Sequence, residues 1–427
     1  MSVQKIRINK KILQVFKCFL ATFFFGLYFL VCAYQTLANT KDMATKATLI
    51  SADILAKNLL IVDTHIDVPF RLEIFYEDIT GTTKKGQFDY PRAKIGGLNV
   101  PFMSIYIPAT KQNSDEAGIL ANRLIDRVEA MVGRAPDKFA LAATTSQVRK
   151  NFQKGLISLA MGMENGAPIA GDLENLQHFY RRGIRYITLT HSKPNHISDS
   201  SYDEVRPWQG LSPFGKKLIL AMNKIGMMID VSHISDQAFW QVMELSDAPV
   251  IASHSSVRHF TPGFERNMSD DMIKVLAAKG GVIQINIGSA FLTEKAMNWN
   301  AEFKNARSKF IKQSDSLASS EIFRNFTAQY FADHPYPYAD LDDVLNHIDH
   351  VVALVGVESV GIGSDFDGVG DTLPVGFKDV SQYPNVVQGL LDRGYKEADV
   401  TKILGGNLMR VWTEVEDYAV IQLVVSQ

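Results

Sequence analysis

The stretch Leu59-Leu60-Ile61-Val62-Asp63-Thr64-His65-Ile66-Asp67-Val68-Pro69 decides how the rest of the chain is interpreted. Its short apolar run is rich in β-branched residues and ends in His-x-Asp before a proline, which predicts a buried β-strand. Residues two apart in a strand point to the same side, so His65 and Asp67 are expected to project together. An imidazole beside a carboxylate suits zinc or a similar divalent ion. The alternative is a hydrogen-bonded His-Asp pair without an ion.

A second His-x-Asp, His347-Ile348-Asp349, lies in a different pattern. Apolar residues recur at intervals of three and four across residues 340–355, which predicts an amphipathic helix. On a helix, residues two apart diverge by roughly 200°, so His347 and Asp349 cannot chelate one ion. We predict that both are surface residues of this helix.

The first 38 residues differ from the rest of the chain. Five cations and no acidic residue precede an apolar run at 19–34, and Thr36-Leu37-Ala38 provides a small-x-small cleavage site. This pattern predicts a signal peptide at 1–38, followed by a single domain at 39–427 that is periplasmic or secreted. An uncleaved membrane anchor through residues 19–34 stays open, because a membrane-spanning helix needs about 20 residues.

Removal of the signal peptide changes the charge and the cysteine content. Subtracting its five cations takes the formal net charge from −2 to −7, which argues against nucleic acid as a partner. Cys18 and Cys32 are the only cysteines, and both leave with this segment, so disulfides are not expected. A mature chain of about 390 residues must then be stabilised by a large core.

Eight short apolar runs alternate with amphipathic, helix-patterned segments from Leu59 onward. The predicted strands are 59–65, 98–107, 156–163, 184–190, 227–232, 250–253, 282–287 and 360–364. This alternation predicts a parallel β/α fold, and a set of eight favours a closed (β/α)8 TIM-like barrel over an open doubly wound sheet. No Gly-rich phosphate fingerprint follows the first strand, which weakens the dinucleotide-binding alternative.

Residues 290–340 break the alternation. This segment has mixed charge, several aromatic residues and His-Pro-Tyr-Pro-Tyr at 334–338. We predict a helical insertion in the loop after the seventh strand. In a barrel such an insertion lies at the carboxyl end of the strands and shapes the pocket mouth. The alternative is a solvated helical decoration.

Polar side chains of ligand type directly follow several of the predicted strands. They are Glu164, His191, His233, His254, Asp365 and Asp367. The carboxyl ends of barrel strands converge on one face, where active sites are built, so these residues are predicted to meet His65 and Asp67. One histidine at a strand end is usually structural, but four of them together with carboxylates indicate a metal centre.

This set of predicted ligand residues suits two metal ions better than one. A single catalytic zinc needs three protein ligands, whereas this set is large enough for two ions, with Glu164 available to bridge them. Two ions about 3.5–4 Å apart can share a hydroxide and polarise a carbonyl group, which is machinery for hydrolysis. The sequence has no Gly-x-Ser-x-Gly elbow and no mature cysteine to serve as a nucleophile.

Several motifs spread over most of the chain resemble those of a known family. They are Asp63-Thr-His-Ile-Asp67, Gly162-Met-Glu-Asn165, Arg185-Tyr-Ile-Thr-Leu-Thr-His191, Asp230-Val-Ser-His233, Ala248-Pro-Val-Ile-Ala-Ser-His-Ser-Ser256, Arg266-Asn267 and Gly363-Ser-Asp-Phe-Asp-Gly368. Together they resemble the membrane (renal) dipeptidase family, zinc peptidases on an amidohydrolase-like barrel. The resemblance extends from about Ala52 to Glu416.

The resemblance implies a metal-ligand set. His65 and Asp67 would hold one zinc ion, and His233 and His254 would hold the other. Glu164 would bridge both ions and belong to the catalytic machinery. The cofactors implied are therefore two Zn²⁺ per chain, with other divalent ions as the alternative.

The resemblance also implies how the substrate is held. His191 would donate to the carbonyl oxygen as it becomes an oxyanion, and Asp365 would contact the amino end and assist proton transfer. Arg266 would bind the terminal carboxylate, for which a planar guanidinium is suited. Asp367 and Arg258 would support the site, and Arg258 is the alternative carboxylate ligand.

The chain departs from the animal members of this family. Those proteins carry disulfides and a C-terminal lipid anchor, whereas the mature chain has no cysteine and residues 418–427 lack a long hydrophobic anchor signal. It therefore resembles the bacterial branch. The disulfide-linked dimer of the animal proteins is not carried over, which leaves a homodimer of another kind open.

We predict an exported dipeptidase that cleaves the bond between a residue with a free amine and one with a free carboxylate. The resemblance extends this expectation to C-terminal D-residues and to β-lactam rings. The alternatives are another amidohydrolase acting on cyclic amides or lactones, and a non-catalytic binding protein on the same barrel. A carboxylate bound by Arg266 speaks against the first, and the intact ligand set speaks against the second.

Overall fold

A computed structural model describes residues 52–313 and 320–425 of the chain. The predicted signal peptide at 1–38 and the start of the predicted domain therefore lie outside the described residues. From Asp53 onward the chain forms one compact unit. Within the described residues, no helix is both long enough and apolar enough to span a membrane.

The described residues contain nine strands, eight of which form a barrel. The strands are β1 (Ile61–Ile66), β2 (Leu98–Tyr106), β3 (Phe139–Leu141), β4 (Ile157–Glu164), β5 (Ile184–Thr188), β6 (Met228–Asp230), β7 (Ile251–Ala252), β8 (Val282–Ile285) and β9 (Val360–Ile362). Their order is β1-β2-β4-β5-β6-β7-β8-β9, and all neighbouring pairs are parallel. The prediction of a (β/α)8 TIM-like barrel is confirmed.

The barrel closes where the residues after β9 reach the end of β1. The backbone N–H of Asp365 donates to the carbonyl of His65 at 3.0 Å, and the N–H of Asp67 donates to the carbonyl of Phe366 at 2.8 Å. Asp63 adds a side-chain link, because its Oδ1 accepts from the backbone N–H of Ser364 at 2.9 Å. These bonds set the end of β1 beside the loop after β9, where two groups of predicted site residues meet.

Helices cover the outside of the barrel between successive strands. They are α1 (52–58), α2 (Val68–Ile74), α3 (Tyr90–Gly96), α4 (Glu116–Arg134), α5 (Thr145–Gln153), α6 (Leu173–Arg181), α7 (Pro213–Ile225), α8 (Asp236–Leu245), α9 (Asp270–Ala278), α10 (Ser289–Leu292), α11 (Glu294–Gln313), α12 (Ser320–Asp333), α13 (Leu341–Val355), α14 (Tyr383–Asp392), α15 (Glu397–Thr401) and α16 (Asn407–Val425). Ser212, Ser235 and Ser269 cap α7, α8 and α9 by accepting from backbone N–H groups of the first turn.

The hydrophobic core joins the barrel to the last helix. Trp412 of α16 is fully buried, and its ring lies 5.3 Å from that of Phe102 in β2. The Phe102 ring lies 5.6 Å from that of Tyr186 in β5. Because this core occupies the amino-terminal parts of the strands, the other end of the barrel is left for polar side chains.

The helical insertion predicted after the seventh strand is confirmed. It follows β8, the seventh strand of the barrel, and contains α10, α11 and α12. Its own small core is aromatic, with the Trp299 ring 5.4 Å from Phe303, 5.5 Å from Tyr330 and 4.9 Å from Tyr336. Phe291 and Lys304 of the insertion line a cavity at the barrel end, so it is more than a solvated decoration.

The prediction for the second His-x-Asp is right about the helix and wrong about His347. The segment forms α13, but His347 is fully buried. Its Nδ1 accepts from the N–H of Val257 at 3.0 Å, and its Nε2 donates to the carbonyl of Leu292 at 3.0 Å. Asp349 has a side chain that is 42% exposed, as predicted. The insertion and the loop after β7 cover the histidine face of the helix, and helical spacing alone does not reveal such a cover.

Candidate active site

The structure brings the residues predicted at the strand ends into one cluster at the carboxyl end of the barrel. They are His65 and Asp67 at the end of β1, Glu164 as the last residue of β4, and His191, His233, His254 and Asp365 in the loops after β5, β6, β7 and β9. Three overlapping groups of these side chains have ligand atoms within 4.8 Å of one another. The parallel order of the strands produces this convergence, since each one delivers its next residues to the same end.

The Glu164 carboxylate lies at the centre of the cluster. Its Oε1 is 3.0 Å from Nε2 of His233 and 3.3 Å from Nε2 of His254. The same oxygen is 3.6 Å from Nε2 of His191, whereas Oε2 is 3.4 Å from Nε2 of His65. Because its two oxygens face different histidines, this single carboxylate is able to serve two cation sites.

Tyr186 fixes the tautomer of His65. Its hydroxyl donates to the carbonyl of Thr64 at 2.9 Å, so the 2.9 Å contact with Nδ1 of His65 is one in which the histidine donates. Nε2 of His65 therefore carries a lone pair that faces the cluster. Gly162 makes room for this arrangement, since a Cβ there would lie 1.9 Å from the Tyr186 ring.

Ser253 fixes the tautomer of His254 in the same way. Its hydroxyl donates to Oδ2 of the buried Asp230 at 2.6 Å and accepts from Nδ1 of His254 at 2.7 Å. The Nε2 lone pair of His254 is thereby directed at the cluster. Such outer partners orient imidazole rings that bind metal ions in proteins.

Several nitrogen and oxygen atoms that face the cluster have no hydrogen-bond donor beside them. Nε2 of His233 and Nε2 of His254 lie 2.9 Å apart, a distance at which two unprotonated nitrogens repel unless a proton or cation lies between them. Within the described part of the chain, Nε2 of His65 and Oδ1 of Asp67 are buried without a hydrogen-bond partner. Imidazole nitrogens and carboxylate oxygens are donors that zinc prefers. The residues present fit divalent cations.

Burial and charge shift the pKa values of His233, His254 and Glu164 in directions that favour a bound cation, whereas burial raises the pKa of Asp67, and Tyr186 with the nearby carboxylates outweighs burial and raises that of His65. Burial, reinforced by the positive charge of Arg266, lowers the pKa of His233 well below its ordinary value. Burial opposes ionisation of Glu164, but the surrounding histidines, His65 foremost, hold its pKa well below the usual range. For His233, His254 and Glu164 these directions correspond to neutral imidazoles beside an ionised carboxylate, the protonation states in which such groups bind metals.

Asp365 lies at the edge of the cluster in a different environment. Burial, followed by the negative charge of Asp67, raises the pKa of Asp365 to about 7. Its Oδ2 accepts from the amide of Asn286 at 2.8 Å. A carboxyl group that titrates near neutrality and is held in place by an amide is suited to exchanging a proton with a substrate.

Three of the site residues adopt left-handed backbone conformations. The φ angles are 70° for His233, 64° for Asp365 and 67° for Asp367. Residues other than glycine rarely adopt such values, and the cost of about 1–3 kcal/mol each is tolerated where surrounding structure fixes them. At Asp367 the fixing bonds are visible, because Arg71 donates to its Oδ2 at 2.9 Å and the N–H of Gln87 donates to its Oδ1 at 2.5 Å.

A cavity of about 720 Å³ opens beside the cluster. Asp67, Glu164, His191, His233 and Asp365 form its polar floor. Its walls are largely apolar and aromatic, and they include Phe70, Ile74, Phe75, Tyr106, Tyr202 and Phe291. This size is within the range of small-molecule sites, so the cavity is able to enclose a short peptide.

The two candidate arginines have different surroundings. Arg258 is held by Asp236, with two hydrogen bonds of 2.7 Å and 2.6 Å, and it also donates to the carbonyl of Asn267. Arg266 is buried at the back of the cluster, where it donates to Ser255 and to the carbonyl of His254 at 2.7 Å each. Its Nε has no partner among the described residues. Arg266 therefore keeps one buried donor, its Nε, without a partner, and it lies behind the residues that line the cavity and is not one of them.

Residues 50–422 match the profile of the family described as membrane dipeptidase (peptidase family M19). The chain belongs to this family. It is therefore a metallodipeptidase, and the resemblance that the motifs indicate is confirmed. The match includes every strand of the barrel and every residue of the cluster.

Relatives of this dipeptidase support the same assignment. Dipeptidase aclJ of Aspergillus oryzae is 33% identical over 342 residues, which cover 78% of this chain and 71% of that protein. Dipeptidase 3 of Mus musculus is 31% identical over 374 residues, which cover 85% of this chain and 66% of that protein. The crystal structure of the probable dipeptidase PvdM from Pseudomonas aeruginosa superposes with a TM-score of 0.75 at 28% identity, covering 88% of this chain and 100% of that one.

The apolar walls of the dipeptidase cavity are what sequence reasoning missed. Ile74 is the last residue of α2 and Phe75 follows it. Their side chains are exposed at the cavity although both are large and apolar. The available signal was position, because this helix begins directly after Asp67 at the predicted metal site. Tyr106 and Phe291 offered no comparable signal, since each is one aromatic residue among many.

Proposed function

We propose that this dipeptidase holds two Zn²⁺ ions at the carboxyl end of its barrel and hydrolyses the bond between an amino-terminal residue and a carboxy-terminal residue. The observation that carries the proposal is the Glu164 carboxylate, whose two oxygens face histidines on opposite sides. His65 and Asp67 would hold one ion, and His233 and His254 would hold the other. When bound, the ions would supply an activated water nucleophile and polarise the scissile carbonyl.

His191 is suited to stabilising the oxyanion. Its side chain is 18% exposed, which makes it the most accessible of the four clustered histidines, and it lines the cavity. Burial lowers its pKa, so the ring is neutral and donates a hydrogen bond without carrying a charge into the site. Nε2 is 3.6 Å from Glu164, close to the position that the scissile carbonyl would occupy beside the bridging carboxylate. A preorganised donor of this kind contributes more in the transition state than in the ground state.

Arg266 and Asp365 would restrict the substrate to dipeptides, because each would bind one of its two charged termini. Arg266 would bind the free carboxylate at one end, and Oδ1 of Asp365 would accept from the free amine at the other. Asp365 would also assist proton transfer to the leaving amine. A site that is built for two charged termini rejects a substrate that leaves one of its buried groups unpaired.

The proposal extends to two further substrates. A D-residue at the carboxy-terminal position keeps both charged termini and changes only the direction of one side chain, which the wide cavity is able to admit. A β-lactam ring presents a strained amide beside a carboxylate. Arg266 would bind this carboxylate, and the metal-binding residues of the cavity floor would act on the amide. Neither a cyclic amide nor a lactone without a carboxylate would use Arg266.

Arg266→Ala tests the assignment of substrate ends. We expect kcat/KM for an L,L-dipeptide to fall by at least ~100-fold, about 2.7 kcal/mol, with the metal content unchanged. The discrimination between the dipeptide and its C-terminal amide should fall as well. Equal losses on the dipeptide and the amide would show that Arg266 does not bind the carboxylate, and Arg258→Ala provides the comparison.

Export of this dipeptidase is a separate proposal. It is supported by the cationic start, the apolar run at 19–34 and the small-residue site at 36–38. Cell fractionation with mass spectrometry of the amino terminus tests it. We expect soluble exported protein that begins near Asn39, whereas membrane-bound protein that retains residues 1–38 would identify an anchor.

A further inference from the structure

Three cationic side chains line the cavity away from its floor, and two of them are neutralised. Arg71 contacts Glu77 and Asp367, each at 2.9 Å. Lys193 lies 2.8 Å from Asp203. Since each of these cations already has a carboxylate beside it, neither adds a net positive charge for a substrate.

Lys304 is the third cation, and its surroundings differ. It lies in α11 of the insertion and its side chain is exposed at the cavity. Among the side chains that the structure describes, no carboxylate lies within ion-pair distance of its Nζ. The insertion thus contributes an unneutralised positive charge to the substrate cavity.

The position of Lys304 relates it to one end of the substrate. Phe291, the other insertion residue of this wall, has its ring 5.4 Å from the guanidinium of Arg266. The insertion wall therefore adjoins the carboxylate end of the substrate. At the amino end, the Asp365 carboxylate would repel a second negative charge. An acidic side chain is consequently favoured on the carboxy-terminal residue and disfavoured on the amino-terminal one.

We propose that Lys304 makes this enzyme selective for dipeptides whose carboxy-terminal residue has an acidic side chain. The inference rests on the proposed orientation of the substrate between Arg266 and Asp365. Lysine suits the role because its long, flexible stem lets the ammonium group follow side chains of different lengths. An ion pair at a cavity mouth is partly screened, so the selectivity should be modest and should weaken as ionic strength rises.

The test compares kcat/KM of the metal-loaded enzyme for Ala-Glu, Ala-Gln and Glu-Ala. Glutamine matches glutamate in shape without its charge, so the Ala-Glu to Ala-Gln ratio isolates the electrostatic effect. We expect the wild type to prefer Ala-Glu over Ala-Gln by about fivefold and to disfavour Glu-Ala. Lys304→Met should remove the preference, and Lys304→Glu should reverse it, each measured as the ratio of kcat/KM for Ala-Glu to kcat/KM for Ala-Gln.

Lys309→Glu is the matched control, because Lys309 is an exposed lysine of the same helix and does not line the cavity. It should retain the wild-type ratio, and a changed ratio in this variant would overturn the assignment to Lys304. Equal cleavage of Ala-Glu and Ala-Gln by the wild type, or a preference that survives Lys304→Met, would overturn the inference alone. A wild type that cleaves neither dipeptide would overturn the proposed function, and this inference with it.

Discussion

The two His-x-Asp sequences of this chain, at 65–67 and at 347–349, place the same residue types in opposite roles. At the end of β1, Nε2 of His65 and Oδ2 of Asp67 lie 3.6 Å apart and face one cluster of ligand-type side chains. On α13, His347 faces the interior, while Asp349 faces outward and accepts from Arg393 at 2.5 Å. The period of the element therefore decides whether the pair can act together.

Burial does not distinguish the two histidines, since both are fully buried. The difference lies in how their nitrogens are used. Both nitrogens of His347 form hydrogen bonds with backbone groups, so the ring has no polar atom left for a ligand. His65 uses only Nδ1, and its Nε2 is left without a partner among the described residues. A buried histidine with a spare nitrogen indicates a ligand site, whereas one with both nitrogens bonded indicates a structural role.

The largest expected contrast is in catalysis. His65→Ala removes a proposed metal ligand, and we expect kcat/KM for Ala-Ala to fall by at least ~10³-fold, about 4 kcal/mol. His347→Gln keeps one acceptor and one donor for the same two backbone groups, and folded protein should stay within about threefold of wild type. Steady-state kinetics on both variants checks this. Comparable losses in the two would remove the distinction between them.

Metal removal should lower the Tm of the His347 variant more than that of the His65 variant. Ions that bind only the folded protein stabilise it, so dialysis against a chelator should lower the Tm of wild type by about 5–10 °C. His347→Gln should show the same shift, because its metal centre is intact. His65→Ala should show a clearly smaller one. Calorimetry with and without chelator measures all three, and an undiminished shift in His65→Ala would exclude His65 as a ligand.

A smaller effect is expected from the protonation of His347. Burial lowers the pKa of His347 to about 4, below its ordinary value of about 6.5. Protons then bind the unfolded chain more readily than the folded one, so stability is full above pH 6.5 and is lost as the pH falls toward 4. Between pH 7 and pH 5 this amounts to about 2 kcal/mol. Denaturant unfolding at both pH values should show that excess loss in wild type relative to His347→Gln, and parallel losses would contradict it.

The smallest effect is expected at the second aspartate. Asp349 pairs with Arg393 and accepts from the hydroxyl of Tyr395 at 2.7 Å, but its side chain is 42% exposed. Asp349→Ala should therefore cost at most about 1 kcal/mol, with activity unchanged. Asp67→Ala should abolish activity. Urea unfolding and a dipeptide assay test both changes, and a large loss of activity in Asp349→Ala would show that α13 influences the site.

The barrel could be predicted because its strands are short apolar runs between helical patterns. All eight predicted strands are present, with ends that differ by a few residues. The ninth strand, β3, was not predicted because its three residues, Phe139 to Leu141, carry no periodic signal and pair only with β4. The convergence of Glu164 with the histidines followed from the parallel order of the strands alone.

Other parts of the site depend on contacts between distant segments. Tyr186 lies 121 residues from His65 in the chain, and no local pattern indicates that its hydroxyl fixes the histidine tautomer. The choice between Arg258 and Arg266 depends on Asp236, the first residue of α8, which accepts two hydrogen bonds from Arg258. The burial of His347 depends on the insertion. In each case the deciding partner belongs to an element that is distant in the chain and is brought into contact only by tertiary packing.

The most direct test of the central claim is the metal content of purified wild type and of Glu164→Gln. Five proposed ligands with one shared carboxylate predict about two ions per wild-type chain. The variant keeps the shape of the side chain and loses the bridging charge, so it should hold clearly fewer, with weakened binding at both sites. One tightly held ion in the wild type, and the same content in Glu164→Gln, would contradict the two-metal account.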